Sequence, residues 1–346
     1  MKITHLIRVT ATALAIAFAS TAYAGGLTIG ENKDSKLTFG GKMFTDLTVK
    51  DVDGVKTQGL NLTRFYLDTK YKKNNWLARV TTDINNEQPN ATGLKRQMNV
   101  FLKYAYLEGT FSDALQLRLG LSHTPWIDYE QKLWKHRFVA KVASDHYKFD
   151  DSADYGIGLK GKLADGLVNY WVTLTNGAGY SKPNSNGSMD YNTRLTIKPI
   201  KGLDISGQYR AGYRGKKATT AAVTPAAKET LMQFLASYGN KQWRVGGNYI
   251  KNKNSGNTSN VDYTVLSGWG WVELGGDFGL FGKIEQNKDD NQVKFNKKRH
   301  YIAGVDFFVQ KGLTMTVAYD DEKTTALPGK VNSTTKKYGL YSQFKF

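Results

Sequence analysis

Arginine and lysine are the residues of this chain best placed to do chemistry, because they recur singly among apolar neighbours. Arg79 stands in Trp76-Leu77-Ala78-Arg79-Val80, Arg118 in Leu115-Gln116-Leu117-Arg118-Leu119, and Arg194 in Asn192-Thr193-Arg194-Leu195. A guanidinium can hold a carboxylate or phosphate through two parallel hydrogen bonds, and rings of Arg and Lys favour anions. Reading each stretch with a period of two puts Arg64, Arg79, Lys103, Arg118, Lys160, Lys162, Arg194, Arg210, Arg244 and Lys283 on the face opposite the apolar residues. Lys42, Lys70, Lys198 and Arg214 share that phase. The acids in the same phase are half as many: Asp46, Asp68, Asp83, Asp204, Glu285, Asp306 and Asp320. Asp46, Asp68, Asp306 and Asp320 fall on the first, second, fourteenth and fifteenth strands, which come together if the sheet closes. The expectation is a basic arc facing a weaker acidic arc, a surface that concentrates small anions.

Other chemistries have thinner support. There is no cysteine, hence no disulfide scaffold and no covalent haem. His123, His136 and His146 share one region with Asp145, but their spacing matches no zinc motif, so neither a metal nor a cofactor is expected. Ser122-His123 and Ser144-Asp145-His146 are neighbours only in sequence, whereas nucleophilic catalysis needs convergence in space. The chain is therefore not read as an enzyme; a lipase or protease on a barrel rim is the alternative, with a structural or electron-conduit sheath barrel as a third reading. The formal charge is +18. Its carriers alternate with apolar residues, so no nucleic-acid surface is expected.

The elements that must position these residues are strands. Leu115, Leu117, Leu119 and Leu121 alternate with Gln116, Arg118, Gly120 and Ser122; Phe65, Leu67, Thr69 and Tyr71 alternate with Arg64, Tyr66, Asp68 and Lys70. In the stretch from Met98 to Glu108 the expected outward residues are Val100, Leu102, Tyr104 and Tyr106, with Lys103 inward. About sixteen such strands fit the chain, each near the ten residues that cross a bilayer when tilted. Short turns alternate with long polar connections near 51–58, 86–96, 124–154, 177–190, 215–228, 252–262, 287–298 and 321–335. That parity predicts an all-β transmembrane antiparallel up-and-down barrel, one domain over residues 25–346. Residues 1–24 combine Lys2 and Arg8, an apolar run and Ala22-Tyr23-Ala24, and read as a cleaved signal peptide. Tyr71, Trp76, Tyr191, Tyr249, Tyr301, Tyr319 and Tyr338 lie near strand ends, where interface girdles belong.

The last strand, Tyr338-Gly339-Leu340-Tyr341-Ser342-Gln343-Phe344-Lys345-Phe346, ends on an aromatic behind alternating apolar residues. It resembles the closing strand of bacterial outer-membrane barrels, and with the loop parity the whole mature chain resembles a general bacterial porin. Arg64 to Tyr71 followed by Trp76 to Val80, and Tyr104 to Glu108 followed by Leu117 to Trp126, also resemble the phosphate-selective (O/P type) porins. Those porins carry a denser ladder of arginines, and here the basic set is interrupted by acids. The resemblance implies a water-filled channel for passive diffusion of small hydrophilic solutes in the bacterial outer membrane, with a preference for phosphate, other oxyanions or small organic anions. It implies that the third long loop, 124–154, folds inward as a constriction carrying Lys132, Lys135, Arg137 and Lys141, anchored by Trp126, Trp134, Phe138 and Tyr147. The implied partners are outer-membrane lipid and lipopolysaccharide, small anionic solutes, the barrel-assembly machinery during insertion, and two further copies in a homotrimer.

Overall fold

The computed structural model describes residues 26–32, 34–86, 98–181, 188–214, 228–255 and 261–346. The segment expected to be a leader, 1–24, lies outside them, as do the central parts of four of the long connections. The alternating stretches form strands: β1 (Leu27–Glu31), β2 (Ser35–Val52), β3 (Val55–Lys73), β4 (Trp76–Asn86), β5 (Met98–Thr110), β6 (Gln116–His123), β7 (Ala153–Leu163) and β8 (Val168–Thr175). They continue as β9 (Asp190–Ile197), β10 (Leu203–Gly212), β11 (Lys228–Gly239), β12 (Trp243–Ser255), β13 (Tyr263–Leu274), β14 (Phe278–Asp289), β15 (Lys297–Gln310), β16 (Leu313–Thr325) and β17 (Ser333–Lys345). From β2 onward each strand pairs antiparallel with the next, and β17 pairs with β2. Sixteen strands thus close into an up-and-down barrel with no free edge on either terminal strand.

The closure is made by side chains as well as backbone. Tyr341 lies opposite Asp46, and Ser342 opposite Thr45, whose hydroxyls are 2.6 Å apart. The backbone of Phe346 exchanges hydrogen bonds with Gly41 at 2.9 and 3.2 Å. A Cβ on Gly41 would fall 2.3 Å from the Tyr66 carbonyl oxygen and 2.5 Å from the Phe346 ring, so this junction requires glycine. The short β1, not visible in the alternation, runs along the edge of β2 beyond the end of β17, with Leu27 opposite Phe39.

Two sequence expectations need correction. The connection expected at 51–58 is a two-residue turn, Asp53-Gly54 with φ of 52° and 91°, at the tip of a hairpin whose strands run 18 and 19 residues. Polar side chains on both faces erase the alternation there, while the backbone ladder continues to the turn. In β5 a bulge shifts the register, so that Tyr104 opposes Thr81 while Leu102 opposes Thr82. Lys103 is the extra residue, and beyond it the phase inverts. Val100 and Leu102 face outward, but Tyr104 and Tyr106 are buried inside.

The two faces of the wall differ as the alternation requires. Leu119, Phe234, Leu266, Ile284 and Val317 are among the outward residues, each more than half exposed. A continuous apolar belt of this kind is the surface a bilayer covers. The principal apolar core lies inside the barrel, where Trp126, Ile127, Trp134 and Phe138 pack on Phe44, Trp269, Trp271, Phe281, Ile302 and Tyr341.

Candidate channel constriction

The connection from β6 to β7 contains two helices, α1 (Ile127–Trp134) and α2 (Ala143–His146). Its apolar side chains are the ones that bind it to the wall. Trp126 and Trp134 have no exposed surface, and Phe138 is 7% exposed. Trp134 packs against Trp269 and Phe281 and donates from Nε1 to the Ala140 carbonyl at 3.1 Å. Polar contacts complete the attachment. His136 Nε2 lies 2.7 Å from Asp306 Oδ2, the Tyr129 hydroxyl lies 2.7 Å from Ser206 Oγ, and Trp271 Nε1 donates to the Leu133 carbonyl at 2.9 Å. At the far end Arg214 reaches the Phe149 carbonyl at 2.7 Å and Asp151 at 2.6 Å.

Electrostatics inside this loop are set by pairing. Burial would raise Asp128, but His123 and Lys132 beside it hold its carboxyl well below the usual range. Burial is likewise overcome at Asp145 by Arg137 and Lys141. Glu130 is different. Fully buried, it accepts from Trp126 Nε1 at 2.7 Å and Asn248 Nδ2 at 3.2 Å, has no partner for Oε1 among the described residues, and is pushed up to about 7 by burial.

The wall cations are mostly neutralised by neighbours on the same strand or one or two strands away. Arg64 meets Asp83 at 2.8 Å, Arg79 meets Asp68 at 2.6 Å, and Arg118 and Lys160 share Glu108 at 2.5 and 2.7 Å. Arg210 is clamped by Glu229 at 2.5 Å and Asp190 at 3.2 Å and donates to the Phe149 carbonyl; Arg244 meets Asp204 at 3.0 Å. Lys283 meets Glu285 at 2.9 Å and the Lys141 carbonyl at 2.6 Å. In the loop, Lys132 pairs with Asp128, Lys135 with Glu273, and Arg137 and Lys141 with Asp145. The four acids of the expected arc are also occupied: Asp46 by Lys337, Asp68 by Arg79 and Lys70, Asp306 by His136, and Asp320 by His300. Lys42, Lys103, Lys162 and Arg194 form no ion pair among the described residues. Lys162 is exposed at its strand end, Lys103 donates to Ser152 Oγ at 2.6 Å, and the Arg194 guanidinium lies 3.9 Å from the Tyr129 ring centre.

Aromatic rings beneath the cations are the feature that sequence reading missed. Arg79 lies 5.0 Å from the centre of Tyr104, Arg118 lies 4.1 Å from Tyr106, and Lys103 lies 3.3 Å from Tyr180. The bulge at Lys103 hides this, because it changes which face Tyr104 and Tyr106 occupy. Against the loop and between β2–β6 and the terminal strands lies a cavity of about 600 Å³. It is lined by seven basic side chains (Lys42, Lys70, Arg79, Lys132, Lys135, Arg137, Lys345) and four acidic ones (Asp68, Asp128, Glu273, Asp306). Ser122 Oγ is directed at the His123 carbonyl rather than its ring, and Ser144 Oγ is buried, so neither serine is paired with a base among the described residues.

No protein-family model matches the chain, and no curated protein matches it in sequence. Solved structures do match in fold. An anion-selective porin from Comamonas acidovorans superposes with a TM-score of 0.66 at 12% identity, over 90% of this chain and all of that one. The outer-membrane channel DcaP of Acinetobacter baumannii gives 0.64 at 11% identity, over 92% of this chain and all of that one. The outer-membrane protein OmpT of Vibrio cholerae, in-vitro folded and in its trimer form, gives 0.60 at 12% identity, over 91% of this chain and all of that one. The chain therefore has the porin fold: a closed sixteen-strand antiparallel barrel.

Proposed function

We propose that this protein is an outer-membrane porin, a water-filled channel for passive diffusion of small hydrophilic solutes that prefers anions. The observation that carries the reading is the loop seated against the interior of a closed barrel beside a cavity in which basic side chains outnumber acidic ones seven to four. The loop of residues 124–154 is the constriction. Lys42 and Arg194, which form no ion pair among the described residues, supply the net field, and paired residues such as Arg118 and Lys160 contribute little beyond their immediate neighbours. The aromatic faces under the cations favour small organic anions with an apolar body alongside inorganic oxyanions. The exposed apolar belt takes lipid, residues 1–24 direct export, and three copies assemble, as in the trimer form of the Vibrio protein.

The test is the zero-current potential of the purified protein in a planar bilayer under a tenfold potassium chloride gradient. The expected sign is that of anion preference, shrinking as total salt rises because exposed charges are screened over about 10 Å at 0.1 M. A cation-preferring sign overturns the selectivity. A bilayer that stays silent overturns the channel.

A further inference from the structure

His146 on α2 and His300 on β15 lie with their rings stacked, centroids 4.6 Å apart and planes 20° apart. His146 Nε2 meets Glu322 Oε2 on β16 at 2.7 Å. His300 Nε2 meets Asp320 Oδ1 at 2.7 Å, and its Nδ1 meets Glu285 Oε2 on β14 at 3.1 Å. One ligand atom from each of His146, His300 and Glu322 lies within 4.8 Å of the other two.

We propose that this cluster is a binding site for a transition-metal dication of the zinc class, ligated by His146, His300 and Glu322, which staples the inward loop to the barrel wall. Two imidazoles and a carboxylate form the donor set that such an ion prefers over magnesium or calcium, which take oxygen ligands. The set is assembled by the fold. His146 comes from the loop, while His300 and Glu322 come from adjacent strands. Glu285 occupies the far nitrogen of His300, as an outer carboxylate does when it orients a ligating histidine. Asp320 stands on the near nitrogen as a fourth oxygen donor. Each short histidine–carboxylate contact now shares a proton, and an ion would take the place of those protons. Bonds of about 2.0–2.2 Å set tetrahedral ligand atoms about 3.3–3.5 Å apart, so the short histidine–carboxylate contacts must open by under about 1 Å while the wider separations close. His146 and Glu322 have room for this, with side chains 29% and 21% exposed. Lys298, 3.5 Å from Glu322, and Lys283, 2.9 Å from Glu285, are the neighbouring cations, and each keeps a carboxylate oxygen of its own.

The proposal does not rest on transport, so its test is a binding measurement. Zinc chloride is titrated calorimetrically into the purified full chain in detergent after chelator treatment, and amide hydrogen exchange of residues 143–150 is followed with and without zinc. One saturable site per chain is expected, with slowed exchange over that segment. Glu322→Gln keeps an acceptor for His146 and His300→Gln keeps a polar side chain. Each should weaken zinc at least about tenfold, and magnesium should not compete. Failure of the wild type to saturate, equal affinity in both variants, or exchange indifferent to zinc would each overturn the site.

Discussion

Arg210 and Arg194 carry the same charge to different ends. Arg210 is 3% exposed and sits among Glu229, Asp190 and Asp150. Removing it leaves buried carboxylates uncompensated, a change that costs roughly 3–5 kcal/mol. Arg210→Met should therefore lower the temperature at which the detergent-solubilised barrel loses its β circular dichroism. Arg194 packs on an aromatic ring and forms no ion pair among the described residues, so Arg194→Met should leave that temperature near wild type and shift the zero-current potential toward cations. Glu130 makes a pH prediction. Its folded value of about 7 lies above the ordinary 4.5, so the folded state binds the proton more tightly than the unfolded chain does. Stability is complete below about pH 4.5, falls as pH rises to about 7, and is flat beyond. Thermal melts between pH 4 and 8 should show the fall, and Glu130→Gln should remove that part of it.

Among the elements, the third loop depends on its anchors more than on its short helices. Helices of eight and four residues have little stability of their own, so packing must hold them. Trp134 is the chief anchor, and truncating a buried Trp costs about 3–5 kcal/mol. Trp134→Ala should raise single-channel conductance and its noise as the loop loosens, with the barrel still folded. The strands meet a different requirement. Each satisfies its backbone only through neighbours, and β17 must find β2 before any edge is covered. That explains a closing strand with cross-strand contacts at Ser342 and ring packing of Phe346 on Phe65 and Phe344.

On the scale of the whole molecule, the barrel is built inside out relative to a water-soluble fold. Its outward face is apolar, and its interior holds charged networks beside apolar clusters that pack against the loop. A charge placed on the outward face is expected to be expensive. Leu119→Arg should lower folding stability in lipid vesicles by about 2–4 kcal/mol if Leu119 lies near the bilayer midplane. A loss near zero would place that residue at an interface instead.

The period of two, read residue by residue, was enough to determine most of the strands, the face of most of their side chains and the closed barrel. Leu115 to Leu119 shows why: successive side chains must point to opposite sides, so a local pattern reports a global surface. The same rule placed the basic residues but could not say which of them keep a free charge. Arg118 is neutralised by Glu108 because β5 and β6 set those two residues opposite one another, and His136 reaches Asp306 across 170 positions of sequence. One extra residue at Lys103 was enough to invert Tyr104 and Tyr106. Pairing, bulges and the path of the loop depend on register between distant segments, and only the tertiary structure decides register. Faces follow from the geometry of a single strand, whereas fields follow from which strands and loops meet.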